Sequence, residues 1–247
     1  MNRSGQYDLL ATRIAVLQQK LSRGSASLLS SADEGLALEH PPRRGASLGS
    51  PRDTAPVLIG ASKTQPVELL EAAISLGLTD FGENKVQEAQ AKWPSLKARY
   101  PKVRLHLIGP LQSNKAADAV ELFDIIQTVD RPKIADALAA ACQKTGKRPE
   151  MLIQVNTGEE PQKAGAAPRE VTALLAHCRA LGLPIIGLMC VPPDGVNPAP
   201  HFALLKKMAD ELGLCELSMG MSGDFETAIR LGATMVRIGT ALFGSRA

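Results

Sequence analysis

The chain is 247 residues long and 45% apolar, and its 28 Lys and Arg against 25 Asp and Glu leave a formal net charge of +3. The positive charges are scattered, and 2 Tyr, 1 Trp and 5 Phe supply few stacking surfaces, so composition argues against a nucleic-acid partner. No stretch has the length and apolarity of a membrane span, and the opening MNRSGQYDLLATRIAVLQQKLSRG lacks the unbroken apolar run of a signal peptide, so no membrane partner is expected.

In chain order, Leu10, Ile14, Leu17 and Leu21 recur at helical spacing and predict an amphipathic helix from about 6 to 22, residues 1–22 packing on the rest. Residues 23–54 are rich in Ser, Gly, Pro and Ala without a sustained period and read as a flexible insertion, with ADEGLALEH as a short helical turn. From residue 55 short apolar runs alternate with helical patterns. Strands are predicted at 57–62, 79–81, 103–108, 124–128, 150–155, 184–189, 215–218 and 234–238. Helices are predicted between them at about 66–76, 84–92, 113–121, 131–145, 168–181, 199–212 and 223–231. That alternation predicts one (β/α)₈ TIM-type barrel over 55–247 with the N-terminal helix as outer cover. An open doubly wound sheet is the alternative, and no Gly-rich fingerprint follows the first strand. Cys142, Cys178, Cys190 and Cys215 form no CxxC pair and have no His at metal spacing, so no metal site is expected and a reducing, cytoplasmic setting is.

A barrel of this kind places its chemistry at the C-terminal ends of the strands. The first strand runs into Lys63, an amine that partial desolvation would free as a Schiff-base nucleophile; a snorkelling or ion-paired lysine is the plain alternative. After strands seven and eight, where barrels commonly hold a phosphate, stand Ser222-Gly223 at a helix start and Gly239-Thr240. Taken singly, Ser222 reads as an N-cap and Gly239 as a tight turn. Together with Lys63 they describe an aldehyde anchor and a phosphate anchor for pyridoxal 5′-phosphate. Arg237, in the eighth strand, either faces the pyridine nitrogen of such a cofactor or pairs with a carboxylate such as Glu83 or Asp224. A cofactor-free Schiff-base aldolase holding a sugar phosphate is a further reading of the same residues.

The motifs GASKTQP, DFGENKVQEAQ, LHLIGPLQSNK, IQVNTGEEPQKAG, GLMCVPP, LSMGMSGDFETAI and VRIGTALFG resemble, in order and spacing, those of the pyridoxal-phosphate homeostasis proteins, relatives of the alanine racemase N-terminal barrel. The resemblance implies a pyridoxal 5′-phosphate-binding barrel serving intracellular vitamin B6 and amino-acid homeostasis without established turnover. It implies Lys63 as the Schiff-base lysine, Asn84 near the ring, Ser222, Gly239 and Thr240 as the phosphate cup with Met221 beside it, and Arg237 at the pyridine nitrogen. No residue is expected to be catalytic, and pyridoxal-phosphate-dependent apo-enzymes are the expected recipients of cofactor from a monomer. The racemase-like alternative needs a second acid/base, and only Tyr7 and Tyr100 are present, neither near the expected mouth. Two departures stand out: Lys85 where the family often has Tyr, and Leu105-His106-Leu107 where it often has Trp-His-Phe.

Overall fold

In the computed structural model, which describes residues 3–31 and 55–244, eight parallel strands pair in sequence order and the last closes on the first. The strands are short: β1 (Val57–Ala61), β2 (Asp80–Glu83), β3 (Arg104–Leu107), β4 (Ile125–Val129), β5 (Glu150–Val155), β6 (Ile185–Cys190), β7 (Glu216–Ser218) and β8 (Met235–Ile238), with β-branched and apolar residues dominating β1, β4, β5, β6 and β8. Closure sets Leu58 beside Val236 and Ile59 beside Arg237. The helices between strands are α2 (Val67–Ser75), α3 (Val86–Arg99), α4 (Ala116–Leu122), α5 (Pro132–Thr145), α6 (Val171–Ala180), α7 (Ala199–Leu212) and α8 (Phe225–Arg230), followed by α9 (Thr240–Phe243). Their apolar faces bury against the outside of the sheet, as where Phe81 of β2 meets Trp93 of α3 with ring centroids 5.1 Å apart. The expected (β/α)₈ barrel is therefore the observed fold.

Two helices run past their expected ends. The first, α1 (Arg3–Ser31), continues nine residues beyond 22, because no proline lies between Gly24 and Ser31 to stop it. Gly24 is accommodated by packing: a Cβ there would stand 2.5 Å from Ile229 Cγ2 of α8. Residues 32–54, including the turn expected over ADEGLALEH, lie outside the described residues. Likewise α3 passes through Pro94, losing one backbone hydrogen bond, because Trp93 and Leu96 are fully buried and hold the helix in place.

The expected stripe of α1 is buried: Leu10, Ile14, Leu17 and Leu21 all face the barrel. The helix lies across α8, α9 and α2, with Lys20 Nζ 2.6 Å from Glu226 Oε1 and Arg13 Nη1 3.5 Å from the Leu242 carbonyl oxygen. It supplies outer cover where α8 and α9 have only six and four residues. Replacing Leu17 by alanine should cost about 2–5 kcal/mol, the usual loss for a leucine truncated in a packed seam, read as a lower urea midpoint with unchanged slope.

Candidate cofactor site at the mouth of the barrel

The turn that carries Lys63 is clamped from both sides. Ser62, fully buried, donates its N–H to Gly82 O at 2.9 Å and its hydroxyl to Glu83 Oε1 at 2.8 Å. On the other side, Thr64 adopts φ of 63° and donates its N–H to Glu88 Oε1 at 2.5 Å. Lys92, one turn further along α3, reaches Ser62 O at 3.1 Å, Glu88 at 3.0 Å and Glu83 at 2.7 Å. Burial raises the Glu88 carboxyl, but the Thr64 N–H and the Lys92 ammonium outweigh it and hold the pKa below the usual range. Lys63 itself is half-buried between these anchors. Glu83, Glu88 and Lys92 were not among the expected site residues; the only local signal was the i,i+4 Glu88–Lys92 pair, which by itself describes an ordinary helix surface.

Asn84 follows directly on β2, which extends through Gly82 and Glu83 rather than ending at 81. Its side chain is half-buried, and the neighbouring Lys85 is exposed at the N-cap of α3. The backbone of Asn84 rests on Gly109, where an added Cβ would overlap the Asn84 carbonyl oxygen and stand 2.7 Å from its Cα. The glycine of GPLQSNK is thus required by close approach of two mouth loops. Gly109→Ala should lower stability by about 1–3 kcal/mol through overpacking and displace Asn84, measured by thermal unfolding and by the amide chemical shifts of residue 84.

Ser222 is not an N-cap. The helix begins at Phe225, and Asp224 occupies the cap, its Oδ1 accepting from the Met221 N–H at 2.6 Å. The Ser222 hydroxyl instead accepts from the N–H of Ala241 at 3.3 Å, joining the loop after β7 to the first turn of α9. Met221 is exposed beside it. Gly220, at φ of 91°, turns the chain into this loop, and its carbonyl accepts from the Arg237 N–H at 3.0 Å. Among the described residues, no hydrogen bond takes up the backbone N–H of Ser222, Gly223, Gly239 or Thr240. Four unclaimed amides on two joined loops suit an anion; the short helix behind them adds little dipole.

Arg237 is buried, yet no ion pair of the described residues includes it. Glu83 faces α3 and Lys92, so the carboxylate pairing expected as an alternative does not form through it. The guanidinium donates from Nη1 to Ser218 Oγ at 2.6 Å and from Nη2 to Cys190 O at 2.7 Å. Burial lowers its pKa, against the charge of nearby Asp224, and burial also pushes the Cys190 thiol up to about 12. A buried cation without a carboxylate partner fits a site completed by an anionic ligand.

Inside the barrel the polar groups continue. His106 Nε2 lies 2.9 Å from Asp80 Oδ1 and its Nδ1 lies 2.9 Å from Gln127 Nε2, while Ser218 Oγ stands 2.6 Å from Gln127 Oε1. Burial lowers the His106 pKa although Asp80 opposes it, so the ring is neutral at pH 7. Burial also opposes ionisation of Asp80, but the His106 hydrogen bond, the Arg104 charge and the Thr79 hydroxyl together keep its pKa below the usual range. The opposite interior wall is apolar: Ile125, Leu152 and Met189 form a small cluster of their own.

Residues 58–247 match the family model described as alanine racemase, N-terminal domain. The chain is 41% identical over 201 residues to the pyridoxal phosphate homeostasis protein of Haemophilus influenzae, covering 76% of this chain and 84% of that one. It is 44% identical over 211 residues to the protein of that name from Pseudomonas aeruginosa, covering 82% and 90%. The chain belongs to the pyridoxal phosphate homeostasis protein family. Among solved structures, PipY of Synechococcus elongatus without PLP aligns at a TM-score of 0.78 and 34% identity, covering 95% of this homeostasis-family chain and 100% of PipY. PipY with PLP bound aligns at 0.70 and 35%, covering 89% and 100%. An alanine racemase of Clostridium difficile, at 0.64 and 15%, covers 77% of this chain and 53% of the racemase, and shares the fold.

Proposed function

We propose that the chain binds pyridoxal 5′-phosphate at the mouth of the barrel, holds it covalently through Lys63, and serves vitamin B6 and amino-acid homeostasis as a carrier without turnover of its own. The observation that carries this reading is the assembly, at one end of one barrel, of the clamped Lys63 turn and four unclaimed backbone amides. In this reading Ser222, Gly239 and Thr240 hold the phosphate with Met221 beside it, Asn84 borders the ring, and Arg237 faces the pyridine nitrogen. When bound, the cofactor supplies an aldehyde that condenses reversibly with amines. The binding of PLP by PipY and the naming of the relatives support the assignment. Recipients are apo-enzymes that use the same cofactor, and the carrier works as a monomer. Four free cysteines, three of them buried, suit a cytoplasmic setting.

The test is the visible absorbance of the purified protein before and after borohydride, with peptide mapping of the reduced adduct. A yellow protein labelled at Lys63 that restores activity to an apo-enzyme is the expected result. A colourless protein that takes up no added pyridoxal phosphate would overturn it, and steady turnover of alanine would replace the carrier by a racemase-like enzyme.

A further inference from the structure

Resting on that cofactor reading, we propose that Asp80, His106, Gln127 and Ser218 form a one-directional hydrogen-bond relay that positions Arg237 from inside the barrel, with Asp80 setting its polarity. The relay starts at the bottom of the barrel, where Asp80 opens β2, and ends near the mouth, where Ser218 closes β7 and holds Arg237 of β8. All five side chains are buried.

For a neutral His106 ring, donor and acceptor chemistry allows one direction. Arg237 has only donors, so Ser218 Oγ must accept from it and spend its own proton on Gln127 Oε1. That turns the Gln127 amide nitrogen to His106, whose Nδ1 must then be the bare nitrogen. The His106 proton therefore sits on Nε2 and is donated to Asp80 Oδ1. Asp80 is held as an acceptor by the Thr79 hydroxyl at 2.7 Å and by Arg104 Nη2 at 2.7 Å. Reversing the Gln127 amide would set a bare Nε2 against a carboxylate, two acceptors face to face. An anion at one end of the barrel thus decides which atoms donate at the other. With its own proton spent on Gln127, Ser218 Oγ accepts from Nη1 of Arg237 without competition from the Gln127 amide, while Nη2 is held on Cys190 O, and the guanidinium plane is oriented toward the mouth.

Long-range ¹H–¹⁵N ring correlations of protein without added pyridoxal phosphate read the tautomer of His106 directly. The expected spectrum is a neutral ring protonated at Nε2, and Asp80→Ala, which leaves Nε2 without an acceptor, should move the proton to Nδ1. With pyridoxal phosphate added, Asp80→Ala should keep the Lys63 adduct, shift its visible band, and weaken affinity about tenfold, the size of one charge-assisted hydrogen bond. Ser218→Ala should produce the same band shift and weakening while leaving the His106 tautomer unchanged, and the double variant should be no worse than either single one. If Asp80→Ala does not fold, the wild-type tautomer and Ser218→Ala decide the matter. A His106 protonated at Nδ1 or charged in the wild type would overturn the relay, as would variants that lose stability but bind with wild-type spectrum and affinity. Wild-type protein that takes up no pyridoxal phosphate would overturn the cofactor reading and the relay's role together, whereas those results with an intact Lys63 adduct overturn the relay alone.

Discussion

Replacing Lys63 by alanine removes the borohydride-reducible adduct entirely and leaves a weaker, non-covalent affinity for pyridoxal phosphate. The residual affinity comes from groups that the substitution does not touch: the amides of Ser222, Gly223, Gly239 and Thr240, and the buried Arg237 guanidinium. Charge-assisted hydrogen bonds of this kind contribute roughly 1.5–3 kcal/mol each, so phosphate release on dialysis should be slowed rather than immediate. Equilibrium dialysis with and without prior borohydride measures both parts. The clamp on the turn runs through backbone atoms of Ser62 and Thr64, so alanine at 63 should leave the fold unchanged. An adduct that survived in Lys63→Ala and mapped to exposed Lys85 would move the covalent anchor to the residue that replaces the family's usual tyrosine.

Glu83→Ala should be the most destabilising single change at the mouth, by about 3–5 kcal/mol. One carboxylate oxygen, Oε1, accepts from the Ser62 hydroxyl, from Trp93 Nε1 at 3.0 Å and from Lys92 Nζ at 2.7 Å, all in a site without solvent. Removing it leaves the largely buried Lys92 ammonium with only Glu88 and the Ser62 carbonyl, leaves the buried Trp93 Nε1 without its acceptor, and loosens the turn that presents Lys63. Glu83→Gln should be milder, because an amide oxygen still accepts from Ser62 and Trp93 while the charge opposite Lys92 is lost. Urea unfolding of the two variants checks the order, and a loss below 1 kcal/mol in Glu83→Ala would show that the clamp is carried by α3 packing alone.

The barrel was legible because its pattern is local: each β-branched run and each helical stripe announces its own element, and alternation announces the topology. That Lys63, Gly239 and Arg237 stand at strand ends, where such a barrel places chemistry, could be read from the strand pattern. The extension of α1 and the passage of α3 through Pro94 were not, since a helix end set by distant packing against Ile229, or by the burial of Trp93, leaves no mark in its own window. Taken singly, Ser222 read as a cap because Ser-Gly before a helical pattern usually is one; its partner, the amide of Ala241 in α9, is 19 residues away. His106 and Gln127 looked like isolated polar residues in apolar strands, and only the closed register brings them to each other and to Ser218, 91 residues beyond Gln127.

The docking of α1 has a consequence for the order in which the protein is made. Lys20 meets Glu226, 206 residues later, and Arg13 meets Leu242, 229 residues later. Since synthesis runs from the N- to the C-terminal side, α1 waits for α8 and α9 before its leucine stripe is covered, and β1 waits likewise for β8. Such long-range closure is slow, and chains halted before residue 226 would carry an uncovered stripe of Leu10, Ile14, Leu17 and Leu21. Until α8 and α9 have been made, that stripe is an apolar surface open to self-association.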